Sequence, residues 1–387
     1  MGIASCYYNR NYGSMLQAYA TQKIINKIGH QAITIQCLSP INYMTQSRIR
    51  YYIHKITEGN ILKSKIRQVS GRVSSFRNKN YRRNRAIRNK KFDDFYMSNI
   101  HLSGLKENRA ELTEFASNMD AVVVGSDMLW HPINIEHDYF TLTFVPNEVK
   151  KISYATSFGT TVIPKYQKKS AKAFLDRFDA ISVREDSGLK VLENLGVVKS
   201  ARVVLDPTLL FTANDWDDVR NDDCCIDQTY ILCYFLGVNK WHREIANNLR
   251  KQTGYKIVML PHLDEYIFGD DEFGDYQLYN VGPSELLGLI KNARFVLTDS
   301  FHGTCFSVLY HKQFLTFNRF MKKNTQSTNT RIDSLLRKLN LEERRVISPI
   351  TNVKEMIEAE IDFSKADKVL EKMRNISVEY LKASFKI

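Results

Sequence analysis

One histidine stands in a setting suited to proton transfer. His302 lies in the stretch TDSFHGT, after Asp299 and Ser300, where an apolar run ends and a helical spacing begins. An imidazole titrates near neutral pH, and polar neighbours at a helix start can hold it as a general acid or base. We expect this turn to lie at the surface and Ser300 to contact a substrate. The alternative is a histidine satisfied by the backbone, beside a residue that only caps the helix.

Arginines at three other positions could hold an anion. Arg184 leaves the apolar run AISV, where a buried charge is costly unless a substrate, Glu185 or Asp186 pairs with it. Arg319 and Arg331 flank the polar stretch FMKKNTQSTNT, which could close over the same cleft. The guanidinium fork binds carboxylates and phosphates in a bidentate manner, so an anionic ligand is expected.

Two polar turns that follow apolar runs supply the remaining candidate ligand contacts. These residues are Asn11, Gly13 and Ser14 in the first turn, and Gly125, Ser126 and Asp127 in the second. Turns at the carboxyl ends of parallel strands meet helix N-termini, which offer free N–H groups to an anion. In the first turn, the glycine would let a ligand approach, the serine would cap the helix and the asparagine would bond a phosphate or sugar hydroxyl. A plain tight turn with a capping serine remains the alternative.

The elements that must position these residues alternate along the chain. MLQAYATQKIINKIG has helical spacing between two short apolar runs, and the same order of strand and helix restarts at TYILCYFLG. This alternation predicts an α/β protein of two Rossmann-like domains whose parallel sheets face a central cleft. We expect domains at residues 1–212 and 213–350, with an acidic linker at NDWDDVRNDDCCIDQ. C-terminal helices in 351–387 should pack back on the domains, and DFSKADKVLEKMRNISVEYLKASF is expected to form a helical pair.

The positive charge of the chain is concentrated in one segment. The formal net charge is +13, and residues 48–91 hold 15 lysines and arginines against the single acid Glu58. We expect this basic insertion to contact an anionic surface, although such runs are often solvated helix faces. No apolar run is long enough to span a membrane and no signal-peptide pattern begins the sequence, so a cytoplasmic location is expected. The basic insertion could bring the protein to the inner membrane face.

Several familiar motifs are absent from the sequence. It has no GxGxxG fingerprint, Walker loop, GxSxG elbow or HExxH pair, and its six cysteines show no CxxC spacing. Dinucleotide binding, P-loop chemistry, serine hydrolysis and a zinc site therefore lose their usual support. No metal ligand set is expected.

Seven stretches occur in the order seen in the polysaccharide pyruvyl transferase family, which this sequence resembles from Asn11 to about Leu336. They are NYGSMLQAYA, VVVGSDMLWHP, SYATSFG, SVREDSG, VLDPTLL, GPSELLGLIKNARFVLTDSFHGTCFSVLYHKQFLTF and TRIDSLL. The resemblance implies a GT-B-like fold, with phosphoenolpyruvate as co-substrate and no further cofactor. It also implies a sugar or lipid-linked oligosaccharide acceptor of a cell-surface or capsular polysaccharide, which receives a pyruvate ketal across two hydroxyls. No nucleic acid partner is expected.

The resemblance also implies roles for individual residues. His302 matches the catalytic histidine of the family and Arg184 an arginine that holds the donor, and we extend donor contact to the NYGS turn and Arg331. Some relatives carry Arg-Leu-His where this chain has Ser300, Phe301 and the histidine, so any donor contact that this arginine makes in those relatives is not expected here. Ketal formation needs proton transfers, in which the histidine could serve as acid or base.

Two other hypotheses compete with this one. A nucleotide-sugar glycosyltransferase is the alternative, because the same pair of Rossmann-like domains holds a nucleoside diphosphate in many enzymes. The third hypothesis is a non-catalytic nucleic-acid or membrane-binding protein that acts through the basic insertion.

Overall fold

The N-terminal half is built around a parallel sheet. The computed structural model describes residues 1–37, 49, 51–53, 78–136, 138–197, 199–264, 266–267, 269–319 and 330–386. The elements of this half are β1 Gly2–Ala4, α1 Tyr12–Lys27, β2 Ile33–Thr34, α2 Lys79–Asn99, α3 Arg109–Ser117, β3 Ala121–Val124, α4 Asp138–Thr141, β4 Lys150–Ser153, α5 Lys168–Leu175, β5 Ile181–Val183, α6 Asp186–Asn194 and β6 Ala201–Val203. The strand order is β2-β1-β3-β4, and bridges from β4 lead on to the parallel pair β5-β6.

The C-terminal half contains a second parallel sheet. Its elements are α7 Ala213–Asp217, β7 Tyr230–Tyr234, α8 Lys240–Thr253, β8 Lys256–Met259, β9 Tyr276–Gln277, α9 Pro283–Asn292, β10 Phe295–Thr298, α10 Phe301–Leu309, β11 Gln313–Phe317, α11 Thr330–Leu339, β12 Arg345–Val346, α12 Val353–Glu358 and α13 Phe363–Phe385. The strand order is β12-β11-β10-β7-β8-β9, and each adjacent pair runs parallel. The predicted α/β, GT-B-like class with two parallel sheets is confirmed.

The central strands are apolar on both faces because helices cover both sides of each sheet. All four residues of β3, AVVV, and all four of β10, FVLT, are buried. Each strand ends in a polar turn that leads towards the opposite half of the molecule. The carboxyl ends of both sheets therefore supply the walls of the space between the halves.

Helix α2, which contains the end of the basic insertion, joins the two halves. Arg88 Nη2 lies 2.5 Å from Asp264 Oδ1, and Lys91 Nζ lies 2.5 Å from Glu285 Oε1. Glu285 is buried near the start of α9, so these pairs fix α2 against the C-terminal half. Most of the basic insertion that precedes residue 78 lies outside the described residues, and its anionic partner stays a prediction.

Residues 351–387 form two helices, α12 and α13, as expected of this region. The helical pair predicted within DFSKADKVLEKMRNISVEYLKASF is wrong, because that stretch is the single helix α13, whose 23 residues no glycine or proline interrupts. It lies over the N-terminal half, where the Tyr380 hydroxyl donates to the Ser153 carbonyl at 2.9 Å. The acidic stretch predicted as a linker begins with α7, whose Trp216 is fully buried among Tyr19 and other aromatic rings. The domain bounds stay a prediction.

Candidate active site

A cavity of about 400 Å³ lies at the carboxyl ends of the two sheets. Polar residues of its N-terminal wall are Asn9, Asn11, Ser14, Asp127, His131 and Asn134. The C-terminal half contributes Ser300, Phe301, His302, Arg319 and Arg331. One wall thus presents hydrogen-bonding groups, and the other presents the histidine with two arginines.

His302 is buried in the first turn of α10 and is only 6% exposed, so the expectation of a surface turn is wrong. Ser300 caps this helix, since its Oγ accepts a hydrogen bond from the Gly303 N–H at 3.3 Å. The cap fixes the backbone of the helical turn that carries the imidazole ring. Its Nε2 is buried and has no hydrogen-bond partner within the described part of the chain.

Gly13 gives His302 the room that it occupies. A Cβ atom at position 13 would lie 1.9 Å from His302 Nδ1 and 2.4 Å from its Cγ. The glycine of the NYGS turn therefore makes space for the imidazole, and not for a ligand as expected. The serine is also not the cap, because Asn11 Oδ1 accepts from the Ser14 N–H at 3.2 Å.

Asp206 connects His302 to Arg184. Its Oδ2 lies 3.6 Å from His302 Nε2 and 2.6 Å from Arg184 Nη1. The same oxygen accepts a hydrogen bond from the Ser126 hydroxyl at 2.8 Å. Burial by itself would raise the pKa of Asp206, but His302 and Arg184 outweigh that effect and lower its pKa. The carboxylate is thus ionised and can stabilise positive charge on the imidazole.

Arg184 is surrounded by carboxylates. Besides Asp206, the carboxylate of Asp127 lies 3.8 Å from its Nη2, and that of Glu185 lies 4.0 Å from its Nε. Burial alone would lower the pKa of Arg184, but these three acids raise it. Arg184 stands behind the cavity wall and not among its lining residues, so donor contact by its side chain stays a prediction.

Asp127 lines the cavity on a strained backbone. Its φ is +86°, a left-handed conformation that residues other than glycine rarely adopt. One carboxylate oxygen accepts a hydrogen bond from the Ser14 hydroxyl at 2.5 Å. Burial would raise the pKa of Asp127, but the charges of Arg184 and His302, together with the Ser14 bond, lower it. A carboxylate acceptor is therefore held towards the cavity.

Arg319 and Arg331 are the cations on the opposite wall. Arg319 Nη2 donates to the Asp299 carbonyl at 3.2 Å, while the Asp299 carboxylate accepts from two backbone N–H groups of the loop after β7. The Arg331 guanidinium carbon lies 5.7 Å from the centre of the Phe301 ring. Burial, followed by the charge of Arg184, lowers the pKa of Arg331 to about 10, so it is charged at neutral pH. Both arginines can receive an anion.

Seven of the predicted site residues line this cavity: Asn11, Ser14, Asp127, Ser300, His302, Arg319 and Arg331. Gly13, Gly125, Ser126 and Arg184 lie behind its surface. Gly13 makes room for His302, and the side chains of Ser126 and Arg184 both bond to the Asp206 carboxylate. The backbone of Gly125 continues the sheet, with its N–H bonded to the Ala4 carbonyl at 3.0 Å.

Sequence reasoning did not single out Asp206. The one available signal was the acid in VLDPTLL, which stands between a short strand and a proline. Among the described residues, no three His, Cys, Asp or Glu side chains form a group able to hold a metal ion. Within the same residues, no helix is both long and apolar enough to cross a bilayer.

The site therefore combines three chemical capacities. The imidazole of His302 can transfer a proton, and the Asp206 carboxylate can stabilise the resulting positive charge. Two arginines can bind carboxylate or phosphate oxygens. The Asp127 carboxylate can accept a hydrogen bond from a hydroxyl group.

No curated protein sequence matches this chain, but several solved structures are similar to it. Among solved structures, it is similar to a putative UDP-N-acetylglucosamine 2-epimerase from Listeria monocytogenes, with a TM-score of 0.48 and 10% identity over 97% of this chain and 89% of that chain. It is similar to Arabidopsis thaliana UGT89C1 complexed with quercetin, with a TM-score of 0.48 and 11% identity over 100% and 98%. It is also similar to UDP-GlcNAc 2-epimerase from Neisseria meningitidis, with a TM-score of 0.47 and 10% identity over 96% and 98%.

A sequence model of one family covers most of the chain. This model, described as polysaccharide pyruvyl transferase, matches residues 11–319. That range contains both halves of the cavity except Cys6, Asn9 and Arg331. The chain belongs to the polysaccharide pyruvyl transferase family.

Proposed function

We propose that the protein transfers the pyruvate unit of phosphoenolpyruvate to two hydroxyls of a sugar in a cell-surface or capsular polysaccharide precursor. The product is a pyruvate ketal, and inorganic phosphate is released. The observation that carries this proposal is the placement of His302 between Asp206 and a cavity that also holds two arginines. Membership of the family supports a transferase, and the site chemistry supports this donor.

The arginines suit the charge of the donor. Phosphoenolpyruvate carries a carboxylate and a phosphate on the same carbon, C2, and a guanidinium fork binds either group through two parallel hydrogen bonds. Arg319 and Arg331 both line the cavity, beside the helix that carries His302. We assign them to donor binding, and the charge that builds on the departing phosphate would strengthen their contribution in the transition state.

His302 is suited to the proton transfers. Ketal formation adds a proton to C3 of the enol, which makes C2 electrophilic, and one sugar hydroxyl then forms a C–O bond to C2. The C2–O bond to phosphate breaks, and the second hydroxyl forms the other C–O bond. One hydroxyl proton balances the proton gained by C3, and the second leaves with the phosphate. His302 can give the first proton and accept one from a hydroxyl, while Asp206 stabilises the charged ring.

The N-terminal wall is suited to the acceptor. The Asp127 carboxylate, which Ser14 and Arg184 keep ionised, can accept a hydrogen bond from a sugar hydroxyl. Asn9 and Asn134 add amide groups to the same wall. Because the donor-binding arginines come from the other half, donor and acceptor would meet beside His302.

Phosphate release from phosphoenolpyruvate tests this proposal. The purified protein is assayed with lipid-linked oligosaccharides that contain galactose, mannose or glucosamine, and mass spectrometry searches the products for a pyruvyl ketal. We expect release that depends on one acceptor and on His302. Transfer from a labelled UDP-sugar, without any dependence on phosphoenolpyruvate, would instead identify a glycosyltransferase.

A further inference from the structure

Large apolar side chains are exposed on two segments near the cavity. Val162 is 64% exposed and Tyr166 is 40% exposed, in the loop and short 3₁₀ turn that follow β4. Ile49 and Ile53 are 53% and 56% exposed on a helical turn of the basic insertion. Residues four positions apart share one face of a helix, so these two isoleucines point to the same side. Each segment thus presents a pair of apolar side chains to solvent.

Lysines surround the first of these pairs. Lys165, Lys168 and Lys169 are exposed, and Lys172 lies one turn further along α5. Residues 160–173 contain no acid, and only Lys172 has an ion pair in the described structure, with Asp176. An apolar tip within a cluster of positive charge is typical of a surface that contacts anionic lipids.

Both segments are anchored on the same part of the cavity wall. The Tyr51 ring, between the two isoleucines, lies 6.0 Å from the ring of His131. Gln167 Nε2, beside the lysines, donates to the Pro132 carbonyl at 2.8 Å. His131 lines the cavity, and Pro132 is the next residue. The two apolar pairs therefore emerge beside the wall assigned to the acceptor.

We propose that these two segments form a docking surface for an anionic lipid bilayer. The surface consists of Ile49, Ile53, Val162 and Tyr166, with Lys165, Lys168, Lys169 and Lys172. The apolar side chains would enter the headgroup region while the lysines pair with lipid phosphates. The bilayer would then lie next to the acceptor side of the cavity, where a sugar attached to a membrane lipid can enter. This inference goes beyond the proposed reaction, since lipid binding needs neither donor nor acceptor.

Vesicle sedimentation of the full-length protein tests the proposal. The vesicles contain equal parts of phosphatidylglycerol and phosphatidylcholine, and pure phosphatidylcholine vesicles serve as the comparison. We expect binding to the anionic vesicles that weakens with salt. The variant with Lys165→Gln, Lys168→Gln and Lys169→Gln should lose roughly 100-fold in partitioning, since each lysine near an anionic surface contributes about a fivefold factor.

A matched variant separates the local surface from net charge. Lys368→Gln, Lys372→Gln and Lys382→Gln remove the same charge from exposed positions of α13, and this variant should bind within about threefold of the wild type. Equal losses in the two triple variants would overturn the proposal.

Two double variants test the contribution of the apolar side chains to vesicle binding. Ile53→Ser with Val162→Ser should weaken binding, whereas Ile347→Ser with Ile376→Ser, which are also exposed, should not. Failure of the wild-type protein to bind anionic vesicles would overturn the proposal. Binding of single-stranded RNA, but not of vesicles, through the same lysines would also overturn it. Neither outcome would affect phosphate release with free oligosaccharides, so the lipid surface and the reaction can fail separately.

Discussion

Replacement of Gly13 by alanine should displace the His302 imidazole, which transfers protons in the proposed reaction. The new Cβ would lie 1.9 Å from His302 Nδ1, 2.4 Å from Cγ and 2.6 Å from Cε1, whereas ordinary contact begins near 3.4 Å. The ring would have to retreat by about 1.5 Å to restore normal contact. A misplacement of about 1 Å can cost roughly 100-fold in rate, so we expect kcat to fall by at least about 100-fold.

Binding and folding should change much less. Arg319 and Arg331 lie on other elements, so KM for phosphoenolpyruvate should stay within about threefold of the wild type. Alanine is favoured over glycine inside a helix by about 0.5–1 kcal/mol, which partly offsets an overpacking cost of about 1–3 kcal/mol. The melting temperature should therefore shift by only a few degrees.

The assay is the initial rate of phosphate release at saturating phosphoenolpyruvate, with the melting temperature measured on the same preparation. Gly104→Ala is the matched control, because the nearest atom to its new Cβ is the flexible Lys106 Nζ at 3.8 Å. It should retain wild-type kcat. A folded Gly13→Ala protein with unchanged kcat would refute the placement of His302 against this glycine.

The other predictions concern the charged groups of the site. His302→Asn should lower kcat by about 100-fold to 10,000-fold while the protein stays folded, as checked by circular dichroism. Arg331→Gln should raise KM for phosphoenolpyruvate by at least about tenfold. Binding of phosphoenolpyruvate to the wild-type protein, measured by calorimetry, should weaken as the pH rises through about 10, where Arg331 loses its charge. Arg184→Ala should destabilise the protein by about 3–5 kcal/mol in urea unfolding, since it leaves buried carboxylates without their cation. The lowered pKa of Asp206 implies that its contribution to stability is present above pH of about 4 and is lost as the pH falls, so Asp206→Asn should flatten the acid side of the stability profile.

Local patterns predict the elements and much of the cavity. β3 and β10 are short apolar runs bounded by polar turns, so their burial follows from composition alone. Asp127, Ser300 and His302 follow such strands directly, and parallel strands bring their carboxyl ends to one edge. This simple rule is sufficient to bring those three residues to the cavity.

Contacts between distant segments are not visible in local patterns. Asp206 meets His302 only because the loop after β6 packs against α10, which lies in the other half of the molecule. The role of Gly13 depends on the same meeting, since the glycine and the histidine are on opposite halves. The pairing of Arg184 with three acids likewise depends on neighbouring strand ends and not on its own sequence context.

Label transfer from the donor tests whether the pyruvate unit moves to the sugar as a ketal. Phosphoenolpyruvate labelled with ¹³C at C2 is incubated in D₂O with the protein and the acceptor that stimulates phosphate release, and the product is examined by NMR and mass spectrometry. We expect a labelled ketal carbon bonded to two sugar oxygens and to a methyl group that has gained one deuterium. An acceptor that gains no labelled carbon while phosphate is released would contradict the proposed transfer.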